Sequence, residues 1–181
     1  MRNESREPGE PFKRLFFALP CAPSPRRAIA QWRSALELGI GRPVPAEKFH
    51  LTLMFLGTVA VTQVPVICAA AVNVARASQR VIVPLDCLDV WRRSHVLLLT
   101  STQTPLVLRQ LVYALQEAML PLGFVEGPWE FRPHLTLMRD YHADVPESST
   151  PPDFRLSADH LILFESHKGQ YRSVGEWRLG G

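Results

Sequence analysis

Apolar positions recur along the chain at two spacings, one of strands and one of helices. Leu15-Phe16-Phe17-Ala18-Leu19 is a short continuous apolar run ending at Pro20, the pattern of a buried strand. Ser24 and Pro25 then offer a helix N-cap and a first-turn proline. Ile29, Trp32, Leu36 and Leu38 follow on one helical face before Gly39. Gly41-Arg42-Pro43-Val44-Pro45 reads as a loop, and His50–Leu56 as a strand closed by Gly57. Thr62 caps a helix reaching about Ser78, with Pro65 in its first turn. Val81–Val90 and His95–Thr100 read as two strands joined by a turn at Trp91-Arg92-Arg93-Ser94. Thr104-Pro105 starts a third helix that presents Leu108, Leu111, Val112, Leu115 and Met119, and Gly123 ends it. Beyond a break at Gly127-Pro128 come a strand over His134–Met138 and a proline-rich loop over residues 144–152. A closing hairpin then joins Arg155–Glu165 to Tyr171–Leu179 across Lys168-Gly169. The order β-α-β-α-β-β-α-β-β-β predicts an α+β fold. Residues 13–181 would form one domain behind a flexible polar arm over residues 1–12.

Composition narrows the class without naming a function. The 181 residues are 46% hydrophobic and 20% charged, which fits one compact domain or two small lobes and excludes long disorder. No apolar run approaches the roughly 20 residues that a transmembrane helix needs. Met1–Glu10 holds no apolar signal core, so no membrane partner and a cytoplasmic location are expected. Cys21, Cys68 and Cys87 are odd in number and widely spaced, which argues against a disulfide framework or a cysteine zinc site. His95, His142, His160 and His167 lack zinc-site spacing and read as surface or structural residues. The net charge of +3 leans weakly toward a polyanionic partner.

An internal repeat changes the picture. His50-Leu51-Thr52-Leu53-Met54 recurs as His134-Leu135-Thr136-Leu137-Met138, and each copy follows a basic residue two positions upstream, Lys48 and Arg132. A chance pentapeptide repeat in a chain of this length is expected on the order of a few times in a hundred. Alternation along a strand puts His and Thr on one face of each copy and the two leucines on the other. If the halves are related by a pseudo-twofold, the two His-Thr faces meet across a cleft. Two imidazoles titrating near neutrality can serve as general base and general acid. Threonine hydroxyls can donate to phosphate oxygens, and a nearby arginine adds a charge-assisted clamp. That set suits phosphodiester cleavage with no metal and no cofactor.

With these residues in view the chain resembles the two-histidine (2H) phosphoesterase superfamily, and within it the bacterial RNA 2′,3′-cyclic phosphodiesterases, also called 2′-5′ RNA ligases. The matching stretches are Arg14–Leu19, Gly41–Val44, Phe49–Leu53 with Phe55-Leu56-Gly57, and Pro133–Leu137 with Arg139-Asp140. The resemblance implies two pseudosymmetric lobes of antiparallel sheet and helices around a V-shaped cleft. It also implies opening of RNA 2′,3′-cyclic phosphate ends, such as those of tRNA fragments, to 2′-phosphates, with 2′-5′ ligation as the reverse sense. It assigns His50 as proton donor, His134 as proton acceptor, and Thr52, Thr136 and Arg139 as phosphate-binding groups. Phe17, where the opening strand borders the cleft, Arg93 and Arg132 would contact RNA or its bases. Arg92 and Arg93 can equally be a solvated turn. Where His95 stands, the family often carries another basic residue. The expected positive charge gathers at the cleft, from Arg139 with Lys48, Arg92, Arg93 and Arg132. Because one chain supplies both halves of the site, a monomer is expected. The rival readings are an RNA-end binding module without turnover and a related cyclic-nucleotide or 2′-5′ oligonucleotide phosphodiesterase.

Overall fold

The computed structural model describes residues 11–127 and 130–180. The arm expected over residues 1–12 therefore falls, through residue 10, outside the described residues, as does Pro128 of the expected break.

Two four-stranded antiparallel sheets dominate the chain, each carrying one copy of the repeat. The first has the order β10-β9-β1-β3, with β1 Phe12–Pro20, β3 His50–Ala60, β9 His160–His167 and β10 Gln170–Arg178. The second has the order β2-β7-β6-β5, with β2 Arg42–Pro43, β5 Cys87–Trp91, β6 Val96–Thr100 and β7 His134–Arg139. A two-stranded ribbon pairs β4 Val81–Leu85 with β8 Phe154–Ala158. Three helices, α1 Pro23–Ser34, α2 Val64–Ala77 and α3 Leu106–Met119, complete the α+β fold.

The expected inward face of α3 is the observed one: Leu108, Leu111, Val112, Leu115 and Met119 are all buried. In α2 the buried set is Ile67, Ala71, Val74 and Ala75, again one stripe at helical spacing. Leu15, Phe17 and Leu19 of β1 join Leu51 and Leu53 of β3 and Leu135 and Leu137 of β7 in one continuous core.

Several expected boundaries shift for local reasons. Helix α1 begins at Pro23 and ends at Ser34, short of Gly39, because the chain after it runs irregularly into a close approach at Tyr141 and Ala143. A Cβ on Gly39 would lie 2.6 Å from that of Ala143. Helix α2 starts at Val64, after a single 3-10 turn over Val61–Gln63 that takes up the expected cap Thr62. The strand beginning at His50 does not stop at Gly57 but continues to Ala60. Gly57 adopts φ +72° beside a register shift, which bends the strand without ending it. The loop expected at 41–45 contributes the short edge strand β2 against β7. The single strand expected over 81–90 is two strands that diverge at Asp86. The Asp86 carboxylate accepts from the Thr102 backbone N–H and hydroxyl, both at 2.8 Å, and so holds the corner. The strand expected over 155–165 likewise divides between β8 and β9, because β8 pairs with β4 while β9 pairs with β1.

The repeat is matched in three dimensions. In the first sheet Phe17 faces Met54 and Ala18 faces Thr52, so Leu53 is an extra, unpaired residue. In the second sheet Leu97 faces Met138 and Leu98 faces Thr136, so Leu137 is the extra residue. The same bulge at the same repeat position lets two consecutive residues, Leu53-Met54 and Leu137-Met138, both point into the core. It also resets the alternation, so the next residue of each copy, Phe55 or Arg139, is exposed.

Candidate active site

The two His-x-Thr faces meet in one cavity of about 330 Å³. His50, Thr52, His134, Thr136 and Arg139 all line it, beside Arg14, Phe16, Phe55, Trp91, Ser94 and Tyr171. Strands β3 and β7 adjoin, and both begin at their histidine, so each ring sits at the mouth of its sheet.

Each imidazole is oriented in the same way. His50 Nδ1 lies 2.7 Å from the Lys48 carbonyl, and His134 Nδ1 lies 3.2 Å from the Arg132 carbonyl. A carbonyl can only accept, so Nδ1 carries the proton and donates it, leaving Nε2 as the free basic atom of the neutral ring. The basic residues two positions upstream thus serve the rings through their backbone. Their side chains do something else. Lys48 Nζ lies 5.8 Å above the Tyr171 ring, and Tyr171 packs edge-on against His50 with centroids 5.3 Å apart. The Arg132 guanidinium lies 5.2 Å from the Trp91 ring centre, and Trp91 packs on His134 at 4.5 Å. Each histidine is therefore walled by an aromatic ring that is itself capped by a cation.

The burial has an electrostatic result. Loss of hydration pushes both imidazoles below the ordinary histidine range, only partly offset by their bonds to backbone carbonyls. Arg139 pushes both down further, His134 adds to the effect on His50, and Arg132 adds to that on His134. Both rings thus favour the neutral form in the empty cleft. An anionic phosphate would favour the charged form of whichever ring it touches.

The copies differ at Thr52, whose hydroxyl lies 2.9 Å from His50 Nε2; among the described residues no such bond joins Thr136 to His134. Arg139 is exposed at the cleft, and among the described residues no carboxylate pairs with it. The neighbouring Asp140, at φ +50°, turns away and binds Arg42 instead.

Phe17 does not reach the cleft. It is fully buried in the core, because β1 alternates and Phe16 takes the cleft-side position opposite Phe55. Phe16 is itself covered by His50, Phe55, Phe164 and Tyr171, with ring centroids 5.2–5.8 Å away, so it is the floor beneath His50. Arg93 and Arg132 lie along an adjoining groove that shares Thr52, Phe55, Trp91 and His134 with the cavity. Lys48 borders a recess on the far side of His50, while Arg92 pairs with Asp144 on the exposed surface and does not line the cavity. Of the expected cationic ring, the cavity itself holds Arg139, joined by Arg14. Trp91, Tyr171 and Phe55 were missed as site residues. Trp91 was placed in a turn and Tyr171 in the closing hairpin. The position of Phe55 one residue past the repeat, matching Arg139, was the signal that could have found it.

Among the described residues no three His, Cys, Asp or Glu side chains converge to hold a metal ion, and no helix is long and apolar enough to cross a membrane.

Comparison with known proteins agrees with this geometry. Residues 19–98 match the family described as LigT like Phosphoesterase. The chain is 34% identical over 174 residues to a protein of Escherichia coli (strain K12) named RNA 2′,3′-cyclic phosphodiesterase, covering 92% of this chain and 97% of that one. It belongs to the LigT-like phosphoesterase family. A protein of the same name from Geobacillus stearothermophilus is 27% identical over 135 residues, covering 72% of this chain and 43% of its own length. The crystal structure of E. coli LigT complexed with 3′-AMP superposes with a TM-score of 0.83 at 29% identity, over 94% of this chain and 99% of that one. The fold is thus that of the LigT-like phosphoesterases, with paired lobes about the histidine cleft.

Proposed function

We propose that this LigT-like phosphoesterase opens RNA 2′,3′-cyclic phosphate termini to 2′-phosphates by paired-histidine acid–base catalysis, without a metal ion or cofactor. One observation carries the reading: two imidazoles with matched orientation present Nε2 to a single cavity that also holds two threonine hydroxyls and an arginine. The curated relative's name and the 3′-AMP complex of E. coli LigT support the substrate class.

In this mechanism His134 Nε2 removes a proton from water, which attacks phosphorus in line with the P–O3′ bond. Protonated His50 delivers its Nε2 proton to O3′ as that bond breaks, so the phosphate remains on O2′. Burial, with Arg139 and Arg132 nearby, favours the neutral form of His134, the form a base needs. Thr52 turns its hydroxyl from His50 toward the phosphate. With Thr136 and Arg139 it stabilises the charge that grows on the non-bridging oxygens. With an RNA 5′-hydroxyl in place of water as the nucleophile, the same groups would form a 2′-5′ linkage as the P–O3′ bond breaks. The site is complete within one chain, residues 13–181 acting as one bilobal unit.

The test is an oligonucleotide ending in a 2′,3′-cyclic phosphate, incubated with protein in excess chelator and followed by phosphorus NMR. A 2′-phosphomonoester is expected. Tight binding with no new phosphomonoester would establish an RNA-end binding module instead. Turnover confined to cyclic mononucleotides or 2′-5′ oligonucleotides would move the activity to that class.

A further inference from the structure

The cavity continues past His50 as well as past His134, and the two continuations differ in charge. On the far side of His50 lies a recess of about 580 Å³, joined to the cavity through His50 and Tyr171, which line both. Arg26 and Lys48 supply its cations, and both are half-buried. The carboxylate at its rim, Glu47, is exposed. Among the described residues no carboxylate pairs with Arg26 or Lys48. Lys48 Nζ binds the Gly169 carbonyl, a neutral partner that leaves its charge uncompensated. Phe164 and Tyr171 form an apolar wall beside these cations. The groove on the His134 side is different: it sets Glu126 and Glu130 against Arg93 and Arg132, so its formal charges cancel.

The chemistry of the ester decides which continuation the rest of the strand takes. In ribose, C3′ carries the leaving oxygen, and C4′, C5′ and O5′ follow on that side of the sugar. C1′ and the base lie on the other side, next to C2′. His50 protonates O3′, so the strand leaves the reacting phosphate past His50, and its next phosphate is the one on O5′. Lys48 Nζ stands 5.8 Å from the centre of the Tyr171 ring, which is itself 5.3 Å from that of His50. A charge one sugar beyond His50 therefore comes within reach of Lys48. The His134 side is left to the attacking nucleophile.

We propose that the recess is the subsite for the penultimate nucleotide of the RNA, with Arg26 and Lys48 holding the phosphodiester that joins it to the reacting nucleotide. The proposal rests on the phosphodiesterase reading above, with His50 as the acid, and deepens it: the recess selects strand ends over free cyclic mononucleotides. A contact to the backbone adds affinity without reading base sequence.

The experiment compares adenylyl-adenosine ending in a 2′,3′-cyclic phosphate with adenosine 2′,3′-cyclic phosphate, which has no phosphate on O5′. The readout is the ratio of the two kcat/KM values. The wild type should favour the dinucleotide, and a neutral methylphosphonate in place of the internucleotide phosphodiester should remove most of that preference. Arg26→Gln should lower the ratio about fivefold, mainly through KM, the upper worth of a solvent-exposed charge pair. For the dinucleotide it should also flatten the slope of log KM against log salt by about 0.7. Arg26→Lys should keep the ratio. An unchanged ratio in Arg26→Gln, or a methylphosphonate opened as fast as the phosphodiester, overturns the subsite. So does a ratio that falls in Arg93→Gln and not in Arg26→Gln, which would put the strand on the His134 side. If wild-type protein opens neither ester, the phosphodiesterase reading fails separately. Calorimetric titration with the 2′-phosphates of the same dinucleotide and mononucleotide then decides the subsite by the ratio of their affinities.

Discussion

The two lobes share a machine part and differ in what surrounds it. In both, a strand starts with His-x-Thr, bulges one residue later, donates Nδ1 to the carbonyl two residues upstream, and packs its ring on a cation-capped aromatic. The differences begin at the edges. Strand β3 is the outer strand of its sheet, whereas β7 lies between β2 and β6. His50 leans on Tyr171 and His134 on Trp91. The exposed cleft residue is Phe55 on one side and Arg139 on the other. Duplication therefore supplies the pair of imidazoles, which are the proton-transfer groups of the proposed mechanism. Divergence of the neighbours supplies direction, because an asymmetric phosphodiester needs one base, one acid and one side for each end of the substrate.

The most severe way to break this comparison is to delete one member. His50→Ala and His134→Ala should each lower kcat by about 10²- to 10⁴-fold, the usual contribution of a positioned acid or base. The double variant should lose little beyond the worse single one, because the groups act as a unit. Wild-type-like turnover by either single variant would end the two-histidine reading. Next comes Arg139→Ala, expected to cost roughly 10²-fold in kcat/KM as one preorganised donor to phosphate is lost. It should also move the pH profile upward, since removing the guanidinium relieves a positive charge that holds both imidazoles low.

A finer comparison concerns the aromatic walls. Trp91→Ala admits water to His134, and Tyr171→Ala admits it to His50. Each should raise the pKa of its own ring, because burial is the main cause of the depression. The expected loss is about tenfold in rate, or ~1.4 kcal/mol of barrier. If the two variants move opposite limbs of the pH profile, the acid and base are assigned independently of any analogy. In the wild type, the acid must be protonated in a free cleft that holds it low, while bound phosphate raises its pKa. The high-pH limb of kcat/KM should therefore lie at lower pH than that of kcat. Coincident limbs would show that substrate does not recharge the acid.

The mildest test is structural. Arg33 donates to the carbonyls of Val44, at 2.7 Å, and of the bulged Leu137, at 2.8 Å; among the described residues no side chain does this for Leu53. Arg33→Met should destabilise the protein by about 2 kcal/mol, two carbonyl acceptors losing a charged donor. The lower Tm should appear with Phe49 packing kept in part, since the Arg33 guanidinium also lies 5.1 Å from that ring.

Much of this was legible in the sequence because it is local. Alternation around each histidine needs only a strand, and the inward stripe of α3 needs only a helix. The chain itself therefore determined the α+β class, the paired His-x-Thr faces and the presence of Arg139 just beyond the second copy. What the tertiary structure decided depends on register and on partners far apart in sequence. Phe16 and Phe17 are equivalent until pairing with β3 sends one to the cleft and the other to the core. In the sequence Arg132 reads as an RNA contact and Lys48 only as part of the positive charge at the cleft. They act on the rings through backbone carbonyls and through Tyr171 and Trp91, which the chain delivers from elsewhere. Phe55 became a candidate only when a bulge reset its face to match that of Arg139. Alternation is written residue by residue. Which face looks at the substrate is set by one extra residue in a pairing that only the folded sheets reveal.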